Sequence, residues 1–135
     1  MTTSLTVEKI YKLRKVLEKY FSAETSLSPE TWKGGSEGHC VMVSMVLATM
    51  FDGKYISTKL EPVSHWYSRV ELEDGSVVDV DLTGDQFGHE PVRIKPAGEL
   101  YSDSRERAFT EINEQTLKRF LLFINKLNIN ALKSL

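Results

Sequence analysis

With one cysteine among its 135 residues, the chain cannot close a disulfide within itself, and Cys40 is a free thiol. That agrees with a reducing compartment. No apolar run approaches the ~18 residues that a membrane span needs. Met1 to Thr6 has neither the basic start nor the small-residue end of a signal peptide, so a soluble, cytoplasmic protein is expected with no membrane partner. A basic block is missing too: the net charge is −2 and both signs run along the whole chain, which argues against nucleic acid. Internal repeats and low-complexity tracts are absent.

A hydrophobic content of 41% lets residues 1–135 fold as one domain around one core, without help from metal or disulfide. From 5 to 21, Val7, Ile10, Leu13, Val16, Leu17 and Tyr20 recur at three- and four-residue steps among lysines, Arg14 and Glu8, the pattern of an amphipathic helix. Residues 22–38 are polar, carry Pro29 and Gly34-Gly35, and read as a long loop around Trp32. The run from Cys40 to Phe51 is almost wholly apolar and stops at Asp52-Gly53. Its length selects a buried helix over a strand, with Gly53 expected in the left-handed cap and Met42, Met45 and Met50 as core filling.

A strand is predicted over 54–60, ended by Glu61-Pro62, and two more over 64–73 and 76–83 around Glu73-Asp74-Gly75. Residues 84–103 read as irregular, and Arg105, Glu106 and Arg107 as solvated. Asn113 is placed to cap a helix running to about Lys126. The predicted fold class is α+β: the Cys40 helix packed on a small antiparallel sheet, flanked by N- and C-terminal helices.

The hairpin register follows from its apolar residues. A two-residue Asp74-Gly75 turn would put Asp79 and Asp81 on the apolar face. A three-residue loop with Gly75 left-handed instead groups Trp66, Val70, Leu72, Val78, Val80 and Leu82 there. The opposite face then carries His65, Tyr67, Arg69, Asp79, Asp81 and Thr83. His65 and Asp81 become diagonal neighbours within side-chain reach, while Asp79 opposite Arg69 reads as an exposed ion pair.

This placement suggests chemistry for Cys40. A thiol attacks only as thiolate, and the start of a helix offers unpaired N–H groups that favour an anion. A histidine held by a carboxylate can stabilise that anion and later protonate a leaving group. His65 and Asp81 are the candidates. One geometric difficulty stands in the way: the helix packs on the apolar face, whereas His65 points from the other. The thiol must therefore reach His65 around the sheet end, or across a bulge.

His65-Trp66-Tyr67, the Asp-Gly hairpin and Val80-Asp81-Leu82-Thr83 resemble the transglutaminase-like version of the papain-like fold. More closely, Glu24-Thr25-Ser26, Trp32, Gly38-His39-Cys40, His65-Trp66, Asp81-Leu82-Thr83 and Asp85-Gln86-Phe87 resemble the bacterial and phage YunG-like family, from about Phe21 to Phe87. The resemblance implies a cysteine-peptidase-like core with Cys40, His65 and Asp81 as nucleophile, base and orienting residue. His39 occupies a position that is often glutamine in similar proteins, where it would serve an oxyanion; Trp32, Trp66 and Gln86 are the further pocket candidates.

The expected function is a thiol hydrolase or acyltransferase acting on an amide or thioester of a peptide, protein or small acyl substrate. The alternative is a non-catalytic protein-binding module that keeps the fold and engages a partner through the 22–38 loop. His39, Cys40, His65 and Asp81 lack the paired spacings usual for zinc, so neither metal nor cofactor is expected.

Overall fold

The computed structural model describes residues 4–36, 38–60, 63–127, 132 and 135. Helix α1 spans Val7–Leu17; Thr6 accepts the Lys9 N–H at 3.2 Å, and Glu8 in the first turn and Lys15 in the last suit the helix dipole. Ile10, Leu13 and Leu17 are fully buried. Helix α2, Cys40–Phe51, has the predicted boundaries and is buried on most sides because nearly every residue is apolar. Its cap differs from expectation. Asp52 takes the left-handed conformation (φ 54°, ψ 35°), which aspartate tolerates. Gly53 has no positive φ; a Cβ there would lie 3.2 Å from Val70 Cγ1 and 3.3 Å from the Leu47 carbonyl, so close approach is its reason for being glycine.

The sheet has five strands, β1 (Lys54–Leu60), β2 (Val63–Glu71), β3 (Val77–Asp81), β4 (Arg93–Pro96) and β5 (Arg105–Arg107). Their order is β4-β3-β2-β1-β5, antiparallel throughout. β4 and β5 correct the reading of their segments as irregular and solvated; both are short, charged edge strands of the kind that resist further pairing. The expected break at Glu61-Pro62 lies outside the described residues.

The β2–β3 register is Ser68 to Val80, Arg69 to Asp79 and Val70 to Val78, with Gly75 at φ +88°. This is the three-residue loop. Val70, Val80 and Leu82 therefore join Leu13, Leu17, Met42 and Val46 in the main core. The opposite face is not open to water. Leu100 packs on Ile56 and Tyr67, Thr58 donates to the Ser102 carbonyl at 2.6 Å, and the Gly98 N–H reaches Asp79 at 2.8 Å. Residues 97–104 form a strap across it. Asp79, expected in an exposed pair, is 0% exposed beneath that strap and bonded to Arg69 at 2.7 Å.

Helix α3, Glu114–Lys126, starts at Asn113, whose side chain accepts the Thr116 N–H at 2.8 Å. Its Phe123 is wholly buried in the main core. Among the described residues no helix is long and apolar enough to cross a membrane.

Candidate active site

The β2–β3 ladder stops at Ser68–Val80, but β2 runs on to His65, paired there with Thr58 of β1. After Asp81 the chain leaves the sheet for a short 3-10 turn, Gly84–Phe87. Phe87 sets its ring edge-on to His65 at 4.8 Å. Buried Arg14, placed by its spacing among the polar residues of α1, pins this turn. It grips the Asp85 carboxylate at 3.0 Å through both terminal nitrogens and donates to the Leu82 carbonyl at 2.5 Å. Burial opposes ionisation of Asp85, yet hydrogen bonds from Arg14 and Ser36 hold its pKa below the ordinary value. Next to Asp85, Gln86 Oε1 accepts the Gly38 N–H at 3.3 Å. The start of α2 is thereby tied to the end of the sheet, and this is how a helix on one face comes beside a histidine from the other.

His65 Nε2 and Asp81 Oδ2 are 2.7 Å apart with both side chains fully buried. Asp81 Oδ1 accepts the Thr83 N–H at 2.9 Å and its hydroxyl at 3.2 Å, and Oδ2 also accepts the Tyr101 hydroxyl at 2.5 Å. Burial would raise the Asp81 pKa, but bonds from His65, Tyr101 and Thr83 outweigh it and the value falls. For His65 burial favours the neutral ring; hydrogen bonding and charge from Asp81 and Cys40 prevail, raising its pKa to about 9. Nδ1 is buried and makes no well-aligned hydrogen bond with any described residue, although the Cys40 sulfur is close enough to act on the ring. Tyr101 stays protonated, because burial and the Asp81 charge both raise its pKa.

Cys40 is half-buried and lines a cleft of about 520 Å³ together with Val41, Trp66, Gln86, Phe87 and Ile112. The His39 side chain makes no capping bond at the start of α2, where the first N–H groups, as in any helix, have no intrahelical partners. A profile of the family described as YunG protein matches residues 9–127. The chain belongs to the YunG protein family. No curated protein and no solved structure matches it significantly.

In this YunG-family chain the remaining pocket candidates separate. His39 is 0% exposed, with Nε2 2.7 Å from the Thr25 hydroxyl and its ring against Phe21 at 4.7 Å. It faces the core and does not line the cleft. Trp32 packs on the main core and donates Nε1–H to the Gly35 carbonyl at 3.3 Å; it too lies off the cleft. Trp66 forms a wall, with the Arg107 guanidinium 5.6 Å from its ring centre. Gln86 is the most suggestive: its Nε2 is buried and without a partner among the described residues, while its oxygen is engaged by Gly38. Among those residues no cluster of three or more His, Cys, Asp or Glu is placed to hold a metal ion.

Tyr101 and Arg119 escaped the sequence reading. Tyr101 sits in a segment without periodicity, and Arg119 looks like any cation on an amphipathic helix.

Proposed function

We propose that this protein is a cysteine-dependent hydrolase or acyltransferase acting on an amide or thioester, built on a papain-like, transglutaminase-like core. One observation carries the reading: Asp81 fixes His65 through Nε2, which turns the other ring nitrogen over to the Cys40 side, at a helix start that opens on a cleft. The core assignment is supported by chain order, a helix beginning at the cysteine followed by antiparallel strands bearing first the histidine and then the aspartate.

In this mechanism the thiol proton rests on His65, and the Cys40 thiolate of that ion pair attacks the carbonyl carbon, forming a C–S bond while the carbonyl π-electrons move onto oxygen. The oxyanion is met by helix-start N–H groups and by Gln86 Nε2, in the role first assigned to His39. Collapse expels the amine or thiol, which takes its proton from His65, and leaves an acyl-cysteine. Water or an acceptor amine, deprotonated by His65, then attacks that thioester; the C–S bond breaks, the acid or amide product leaves, and the Cys40 thiolate is restored beside protonated His65.

The test is alkylation of the folded protein with iodoacetamide across pH. Cys40 of the folded protein is expected to react faster than free cysteine at neutral and lower pH, and His65→Gln to abolish that advantage. Labelling that appears only on unfolding would overturn the enzyme and leave a non-catalytic binding module.

A further inference from the structure

The cleft contains a cation that the proposed chemistry does not use. Arg119, on α3, lines it together with Thr116 and Cys40. One terminal nitrogen donates to the Thr116 hydroxyl at 3.0 Å. The Nε–H is buried and has no partner among the described residues, and no carboxylate of those residues forms an ion pair with the guanidinium. Glu111, which also lines the cleft, does not neutralise it, being occupied by Arg107 at 2.8 Å and by the Ala108 N–H at 2.8 Å. Arg14 has Asp85 and Arg69 has Asp79; Arg93, away from the cleft, also keeps a buried nitrogen without a partner among the described residues, but its guanidinium lies over the Tyr101 ring at 5.0 Å.

A partly buried guanidinium with an unfilled N–H is costly to maintain. Burial pushes its pKa down, and the Cys40 sulfur acts in the opposite direction, so the two groups share one electrostatic field. The fork of Nε and the remaining terminal hydrogens matches the two oxygens of a planar carboxylate. A phosphate fits less well, because among the described residues lining the cleft this is the single cation, and the chain carries net negative charge.

We infer that Arg119 is a specificity residue that binds a carboxylate on the substrate, near the carbonyl that Cys40 attacks, so that acidic substrates are preferred. This rests on the proposed role of Cys40. It extends that role by naming a substrate class: an acyl group bearing a free carboxylate, such as an acidic side chain or a chain terminus.

The experiment compares iodoacetate with iodoacetamide, which differ in carrying a carboxylate or a neutral amide, on the full chain at fixed pH and ionic strength. The ratio of their rates is expected to exceed that of free cysteine by about tenfold, the order expected of one partly screened charge. Arg119→Gln should return the ratio to the free-cysteine value, and Arg119→Lys should keep part of the gain. Should Arg119→Gln fail to fold, acetate protection decides: acetate should slow iodoacetamide labelling of the wild-type protein where equal chloride does not.

A wild-type ratio equal to that of free cysteine, a ratio unchanged in Arg119→Gln, or an absence of acetate protection overturns the carboxylate site while Cys40 remains reactive to iodoacetamide. Protection by inorganic phosphate stronger than by acetate overturns the choice of carboxylate. If neither reagent labels folded protein, the thiol mechanism itself falls, and the carboxylate site with it.

Discussion

Tyr101 donates its hydroxyl to Asp81 Oδ2 at 2.5 Å, the same oxygen that holds His65 Nε2 at 2.7 Å. The strap residue thus stabilises the carboxylate form of Asp81, and through it the imidazolium form of His65. Tyr101→Phe removes one charge-assisted bond from a buried carboxylate and should cost about 2 kcal/mol in urea unfolding. Because the effect passes through Asp81, the His65 pKa should also fall, visible in the NMR titration of its ring protons. A stability loss with an unmoved His65 titration would make Tyr101 structural only.

Folding raises the His65 pKa from 6.5 to about 9, so the native state binds this proton more tightly than the unfolded chain. The stabilisation is complete below pH 6.5 and is lost as the pH climbs through about 9. Asp81 has the opposite sign: its lowered pKa gives stability that disappears as the pH falls below the ordinary carboxylate range. Urea midpoints should therefore decline between pH 6.5 and 9, and that decline should vanish in His65→Gln. Level wild-type midpoints across this window would contradict the buried ion pair.

Gly38 stands two residues before Cys40 at φ +77°, where a Cβ would lie 2.2 Å from the Ser26 hydroxyl oxygen and 2.6 Å from the Leu27 nitrogen. The second contact is with backbone and cannot be relieved by a rotamer change. Gly38→Ala should thus cost roughly 2–4 kcal/mol, combining a left-handed φ with a backbone clash. It should also disturb the Leu27 N–H bond to the Gly38 carbonyl, now 3.1 Å, and the position of the helix start. Slower Cys40 alkylation at a pH where the variant is still folded would separate the local effect from the global one.

Elements whose apolar residues determine their conformation could be read directly. The uninterrupted run of α2 and its Asp-Gly stop gave the observed boundaries, and the clean division of Val70, Val78 and Val80 from Asp79 and Asp81 selected the observed register. What could not be read depends on tertiary partners. β4 and β5 are strands because they pair with β3 and β1, not because their own residues alternate. Asp79 is buried because a distant strap crosses it. Likewise, His39 and His65 are both buried histidines near Cys40 in sequence or space, and only packing shows that one faces Phe21 and the other Asp81.

Gln86 offers the sharpest separation between binding a thiol reagent and doing acyl chemistry. Its Nε2 is a buried donor on the cleft without a partner among the described residues, and its orientation follows from Oε1 accepting the Gly38 N–H at 3.3 Å. Alkylation by iodoacetamide develops no charge on a carbonyl oxygen, whereas acylation by p-nitrophenyl acetate does. If Gln86 meets that oxyanion, Gln86→Leu should retain most of the alkylation rate and lose about 10²–10³-fold in the acylation rate, the usual loss for one oxyanion donor. Parallel losses in both reactions would instead mean that Gln86 acts by holding Gly38 and the start of α2, and that the oxyanion is met by the helix N–H groups alone.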